Sequence, residues 1–329
     1  MFLSIVIPVY NVKNYLEKCV DSVISQVGED CEVILVNDGS TDGESPALCD
    51  MYAEKYPRYI KVIHKQNGGI GDARNAGINE ACGKYLCFID SDDYVLPGYI
   101  DEMRRVADDS NADIIQFGYK TEKEGTYLDT ILEEVPIYEP LKLADYTCFL
   151  AMQPMVWYRI WKRSLFVDNG ILFPLNVWHE DVHTTPKLFA SADTIVCVPN
   201  AYYAYVQRPD SVMHSKNIER CGEIISAFED IVGWFKKNDL FRQYYNALSE
   251  FALLHVLIFA SVRVARVSPK NHLLQEFKEF VFANFPDCLH NPEVNLSKLH
   301  LKHRAVLGLV VSGKYRLIFA LFKMKDAFN

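Results

Sequence analysis

Phe88-Ile89-Asp90-Ser91-Asp92-Asp93 carries an apolar strand directly into three carboxylates. Carboxylates crowded at a strand end repel one another and lose solvation, so they are tolerable chiefly when a hard cation such as magnesium or manganese neutralises them. A metal held there points to phosphate chemistry. Read for structure alone, the same D-x-D-D run is a solvated acidic turn, and the remainder of the chain decides between the two.

Working outward, short β-rich runs alternate with helical periodicity over the first hundred residues. Leu3–Val9, Glu32–Val36, Tyr59–His64 and Tyr85–Ile89 read as strands. Between the first two, Val12, Tyr15, Leu16, Cys19, Val20, Val23, Ile24 and Val27 form one apolar helical stripe. The alternation predicts an α/β fold, with a mainly parallel central sheet and flanking helices, and a ligand beyond the carboxyl ends of its strands. Three polar loops converge there: Pro8-Val9-Tyr10-Asn11, then Asn37-Asp38-Gly39-Ser40-Thr41-Asp42, then the Asp90 cluster. Ile114–Tyr119 reads as a further strand, and Glu122–Glu139 as a polar, acidic connection. Strand signals fade after about Ser215, which predicts a catalytic domain over 1–215 and a smaller helical region over 216–329.

The chain has 329 residues, half of them hydrophobic, enough for one large core and a second, smaller one. A net charge of -9 argues against a nucleic-acid binder, since phosphate-tracking surfaces require a cationic excess. Nine cysteines without C-x-x-C spacing favour reduced, buried thiols in a cytosol. Met1-Phe2-Leu3-Ser4-Ile5-Val6-Ile7-Pro8 lacks the basic flank and small-residue cleavage site of a signal peptide and reads as a first strand. Phe251–Val262 is the longest apolar run, too short for a bilayer span and expected to be a buried helix.

Asn67-Gly68-Gly69-Ile70-Gly71-Asp72-Ala73-Arg74 follows the third strand and enters a helical pattern. Its glycines allow backbone amides to approach a phosphate at a helix start. It is not a dinucleotide fingerprint, because Arg74 stands where the third glycine belongs. Arg74 is a candidate cationic fork for a diphosphate, or a surface arginine capping a helix. His179-Glu180-Asp181-Val182-His183 matches H-E-x-x-H, but Pro186 is expected to break or start a helix near Thr185, which disfavours a zinc site. Glu180 and Asp181 read better as carboxylates at a helix entrance.

Taken in order, Ser4–Asn11, Val36–Asp42, Asn67-Gly68-Gly69 with Ala73-Arg74-Asn75-Ala76-Gly77, and Phe88–Asp93 resemble the family 2 glycosyltransferases of the GT-A fold. The resemblance continues through Trp157–Phe166, the Glu180-Asp181 pair, and Tyr203-Ala204-Tyr205 with Arg208 and Ser211. It implies that Pro8, Tyr10 and Asp38 frame the nucleoside base, usually uracil, that Asp90 lies near the ribose, and that Asp92 holds the Mn2+ or Mg2+ bridging the diphosphate. Asp181 becomes the catalytic base. Val9, Asn11, Asn67, Gly68, Arg74 and Ser91 complete the expected donor-binding set, and His214 is a second candidate for the metal or a phosphate. Tyr158 and Arg159 depart from the small polar residue and lysine that members often carry.

The implied reaction is inverting sugar transfer from a nucleotide-diphosphate sugar, with UDP the expected carrier, to a saccharide or lipid-linked saccharide in bacterial surface-polysaccharide assembly. Donor binding is expected over about 1–95 and the acceptor side over about 96–215, in a cytoplasmic protein peripheral to the inner face of the membrane. The alternatives are a sugar nucleotidyltransferase and a non-catalytic sugar-nucleotide-binding subunit. From Ser297 the chain turns basic, with Lys298, Lys302, Arg304, Lys314, Arg316, Lys323 and Lys325 against Asp326. That segment reads either as attachment to an anionic membrane surface or as a packing helix with a solvated basic face.

Overall fold

The structure, a computed structural model, describes residues 1–131, 136–151, 153–208, 217–294 and 301–328. They form two compact units, Met1–Tyr146 with Met155–Ser211, and Thr147–Pro154 with Val212–Asn329.

The first unit is built on one sheet. Its strands are β1 (Leu3–Val9), β2 (Cys31–Asp38), β3 (Ile60–Lys65), β4 (Tyr85–Phe88), β5 (Tyr94–Val95), β6 (Ile114–Lys123), β7 (Thr126–Ile131), β8 (Leu141–Lys142), β9 (Arg159–Lys162) and β10 (Thr194–Val206). The helices are α1 (Leu16–Ile24), α2 (Glu44–Lys55), α3 (Ile70–Glu80), α4 (Tyr99–Ser110), α5 (Ser164–Val167) and α6 (Glu180–Ser191). The sheet order is β3-β2-β1-β4-β9-β6-β10-β5, with β7 on β6 and β8 on β10. β3, β2, β1 and β4 are parallel, and every residue of β1, β2 and β4 is buried, as expected of strands covered on both faces.

The strand order reverses at β1, whose neighbours are β2 and β4, the switch point at which open α/β sheets bind ligands beyond their carboxyl ends. Val6 accepts a bond from the Ile89 amide on the β4 side. Pro8, two residues on, faces that same side after the β4 ladder has ended at Phe88, so its missing N–H leaves no ladder bond unmade. Helix α3 lies hard against β1: a Cβ on Gly77 would fall 2.3 Å from Val6 Cγ1.

The second half of the sheet is mixed: β6 and β10 pair in parallel, and antiparallel strands join them. β9 runs antiparallel to both β4 and β6. The segment read as a polar connection contains a hairpin, β6 to β7, turned by Glu124 and Gly125, both at positive φ. Pro186 lies inside α6 without ending it. Seven cysteines are buried but Cys82 and Cys148 are exposed, and no disulfide joins any of the nine.

The second unit is helical: α7 (Glu223–Lys237), α8 (Phe241–Ala252), a π-helical stretch Leu253–Ala260, α9 (Ser261–Ala265), α10 (Leu273–Asn284), α11 (Leu301–Val311) and α12 (Tyr315–Phe328). Phe241–Ala265 is continuous, and by length and composition long enough to cross a membrane, yet 67% of its apolar window is buried as in a core helix. Phe251 packs on Phe228 with ring centroids 5.2 Å apart. In the basic tail Leu307 and Ile318 are buried, whereas Leu301 and Leu317 are exposed.

Candidate active site

The loops beyond β1 to β4 meet the first turn of α6. At the β1 end, Pro8 and Val9 are buried and Tyr10 is 49% exposed. Asn11 turns with φ 52° and ties this loop to the next, its Oδ1 accepting the Thr41 amide at 2.7 Å and the Asp42 amide at 3.2 Å. Asn11 thus fixes the β1 loop against the β2 loop.

Asp38 is buried at the end of β2. Its Oδ1 accepts Lys65 Nζ at 2.6 Å and the Gly68 amide at 3.0 Å, and its Oδ2 accepts the Gly69 amide at 2.8 Å. Asn67 Nδ2 donates to the Asp38 carbonyl at 3.0 Å. This corrects the expectation of a phosphate cradle: the Gly68 and Gly69 amides are aimed at a carboxylate that arrives from the neighbouring strand. With a single bond on Oδ2, Asp38 keeps acceptor capacity for one further donor.

Arg74 is corrected in the same way. Only 1% exposed, it is neither a surface cap nor an open fork for a diphosphate. Its Nη1 donates to Glu180 Oε1 at 2.8 Å and Asp181 Oδ1 at 2.7 Å, and its Nη2 to Asp90 Oδ1 at 3.0 Å. Its guanidinium carbon lies 5.3 Å from the Phe173 ring centroid. One buried cation thus holds the β4-end acid and both α6 acids, so Asp90 and Asp181 are no farther apart than a guanidinium allows. Burial opposes the Arg74 charge, but the three carboxylates outweigh it and raise its pKa.

Asp181 sits in the first turn of α6 and also accepts the Val156 amide. Burial pushes its pKa up, to about 8, and the charges of Glu180 and Asp90 add to this against the pull of Arg74. With 15% of its side chain exposed, it keeps one edge open to solvent. Its carboxyl holds its proton more tightly than an ordinary aspartate.

The acidic loop divides its labour. Asp93 is buried and held at both oxygens, its Oδ2 accepting Tyr203 Oη–H at 2.7 Å and its Oδ1 the Val206 amide at 2.7 Å. Tyr203 Oη in turn accepts the Asp90 amide at 3.2 Å, and Ser91 is buried. Asp92 pairs with Arg208. Burial raises the pKa of Asp92, Asp90 adds to it, and Arg208 opposes it.

Among the described residues no three His, Cys, Asp or Glu side chains gather into a shell that could hold a metal unaided. Asp92 still fits a hard divalent cation. It is an oxygen donor in a loop with more negative than positive charge, and magnesium-type sites in phosphate enzymes use one or two carboxylates plus substrate oxygens. His214 lies outside the described residues. The H-E-x-x-H match is not a zinc site: His179 stands outside the helix with φ 66°, and only His183 is on α6.

Sequence reasoning missed three things here. Arg208 as the partner of Asp92 was present only as part of a resemblance. Asp93 as a buried staple was not separable from its two neighbours. Arg159 is wholly buried, donating to Gln116 Oε1 at 2.6 Å, the Met155 carbonyl at 2.7 Å and the Tyr158 hydroxyl. Tyr158-Arg159 is therefore a packing feature, beside Trp157 stacked on Tyr203 with centroids 4.4 Å apart.

The glycosyl transferase family 2 model matches residues 4–166. EpsH of Bacillus subtilis (strain 168), classed among glycosyltransferases, is 30% identical over 261 residues that cover 77% of this chain and 74% of EpsH. The chain belongs to glycosyltransferase family 2. Other similar proteins are the uncharacterized glycosyltransferase EpsJ of B. subtilis (strain 168), 33% identical over 64% of this chain, and the glycosyltransferase GlyA of Streptococcus pneumoniae serotype 4, 31% identical over 64%. The matched stretch spans 62% of EpsJ and 31% of GlyA, less than two thirds of either.

Solved structures share the GT-A-like fold. S. aureus TarS 1–349 in complex with UDP-GlcNAc superposes with TM-score 0.70 at 21% identity, covering 99% of this chain and 92% of that one. The mannosyltransferase PcManGT from Pyrobaculum calidifontis, in complex with GDP-Man and Mn2+, gives 0.56 at 18%, covering 94% and 86%. In this family 2 chain, the matched region ends before α6, so Glu180 and Asp181 lie beyond it and rest on the geometry around Arg74.

Proposed function

We propose that this protein is an inverting glycosyltransferase, moving a sugar from a UDP-linked donor to an acceptor hydroxyl in surface-polysaccharide assembly. The observation that carries this reading is the Arg74 cluster: a base at Asp181, poised near neutrality, fixed beside the nucleotide-side carboxylate Asp90. The exposed Tyr10 offers a stacking face for the base, the open position on Asp38 Oδ2 an acceptor for a base N–H, and Asp90 an acceptor for ribose hydroxyls. Asp181 takes the proton from the acceptor hydroxyl as that oxygen attacks the anomeric carbon opposite the leaving diphosphate. The configuration at that carbon inverts. Arg74 keeps Asp181 and Asp90 in register throughout.

Asp92 is the residue that would hold Mn2+ or Mg2+, which when bound supplies charge neutralisation on the departing diphosphate. Residues 1–95 form the donor side and 96–215 the acceptor side. Support for a polymer-building role comes from relatives named for it: the minor teichoic acid biosynthesis protein GgaB of B. subtilis (strain 168), 42% identical over 34% of this chain, and a poly(ribitol-phosphate) beta-glucosyltransferase, 30% identical over 73%. The acceptor in this reading is a saccharide or lipid-linked saccharide met at the cytoplasmic face of the membrane.

The test is a panel of UDP-glucose, UDP-galactose, UDP-GlcNAc and UDP-GalNAc, read by donor-induced thermal stabilisation and by release of UDP with Mn2+ present. A binding donor should raise the melting temperature in proportion to occupancy, and at least one should release UDP. Pyrophosphate release from a nucleoside triphosphate and a sugar phosphate, with every UDP-sugar inert, would replace this reading with nucleotidyl transfer. Stabilisation without any release, even with oligosaccharide acceptors, would support a binding subunit.

A further inference from the structure

Helix α12 presents two apolar faces, and packing accounts for one of them. On its inner side Ile318 is 1% exposed, Tyr315 Oη donates to the Leu274 carbonyl at 3.0 Å, and the Phe322 ring lies 4.6 Å beneath the Arg266 guanidinium carbon. On its outer side Leu317, Leu321 and Met324 are 51%, 54% and 53% exposed. Their spacing of four and then three residues places them on one helical stripe. The helix is already seated by its other face, so this stripe is a second surface and not a core face turned outward. Arg316 and Lys323, seven residues apart, form a parallel basic line along its flank, and Leu301 at the start of α11 is 76% exposed.

Charge identifies the occupant. Residues 301–328 hold six of the chain's 34 lysines and arginines and one of its 43 acidic residues, in a protein of net charge -9. An apolar stripe flanked by cations, with the opposing charge removed to the rest of the molecule, is the pattern of a helix lying in the headgroup region of an anionic membrane. A second protein is a poor fit, because three side chains cannot supply the roughly 800 Å² per partner of a stable interface. The same three are enough to enter an acyl boundary already drawn close by charge.

We infer that the Leu317-Leu321-Met324 face of α12, with Arg316 and Lys323 beside it, docks the protein on anionic lipid bilayers without crossing them. The inference needs no assumption about the reaction, and its test reads no turnover.

The full chain is co-sedimented with phosphatidylcholine vesicles and with vesicles in which about a third of the lipid is phosphatidylglycerol, at low and high salt. Two variants accompany it: Leu317→Ser with Leu321→Ser and Met324→Ser, and Arg316→Glu with Lys323→Glu. All these positions are exposed, so thermal melts should match the wild type, and single Arg316→Glu stands in if the triple variant melts early. The wild type should sediment with anionic vesicles only and be released by salt. Each charge reversal should cut partitioning by at least about fivefold, the effect expected for one basic residue at an anionic surface. Equal binding to both vesicle types, or undiminished binding by the charge-reversed variant, would overturn the inference. So would a stripe variant that turns a dimer into a monomer while leaving vesicle binding intact, since the face would then belong to a second copy.

Discussion

Asp181→Asn is expected to slow sugar transfer by roughly two to four orders of magnitude while leaving donor affinity unchanged, because general-base assistance is worth about that much and acts only on the attacking hydroxyl. The variant carries a second expected signature. Asp181 has a folded pKa lifted to about 8, so the native state binds its proton more tightly than the unfolded chain does. Stability from this group is complete below the unfolded carboxylate value, roughly 4, and is lost as pH rises through about 8. Asparagine cannot ionise. At pH 8 to 9 the variant should therefore melt at or above the wild-type temperature, Arg74 still being held by Glu180 and Asp90. Donor titration, single-turnover rates and melting curves on the two proteins check both halves. Weakened donor binding with normal turnover would make Asp181 a binding residue. A much lower melting temperature at pH 9 would mean that Arg74 requires its charge for folding.

Asp92→Asn should bring turnover down to the level seen without added metal, with the fold intact. Removing one anionic ligand weakens a hard cation and opens no cavity. The contrast is Asp93→Asn, one residue on. Asp93 accepts the Tyr203 hydroxyl and the Val206 amide in a buried position, so its replacement should cost stability rather than metal dependence. Titration of Mn2+ against UDP release, alongside Mn2+ binding in the presence of UDP and thermal melts, separates the two. Unchanged metal-dependent turnover in Asp92→Asn would falsify its assignment, and a melting temperature that falls only for Asp92→Asn would exchange the two roles.

The parallel half of the sheet was legible because β1, β2 and β4 are buried on both faces and so read as unbroken apolar runs, each ending in a polar loop. In the other half β6 was legible as a strand, but its antiparallel neighbours β7 and β9 were not. β9 is four residues long and begins with a buried arginine, and a pattern of burial cannot announce a strand whose first side chain is charged. The hairpin after β6 was obscured by Glu124, an unusual residue for a left-handed turn position.

The acidic residues of the site were legible one by one, as carboxylates after strands and at a helix entrance. What joins them was not. Arg74 reaches Asp90 across 16 positions and Glu180 and Asp181 across more than a hundred, and only the folded chain shows that one side chain serves all three. The same holds for Asp38 and the Gly68-Gly69 amides, which the sequence presents as two separate ligand contacts and the fold presents as one internal bond.

The most direct test is the pH dependence of UDP release from a saturating UDP-sugar, measured from pH 6 to pH 10 on the wild type and on Asp181→Asn. If Asp181 is the base, its deprotonated form carries the reaction, and the wild-type rate should climb as a single proton is lost near pH 8 and then level off, while the variant remains slow and flat. A wild-type rate that does not change across this range, or a variant that follows the same rising curve at the same rates, would contradict the account.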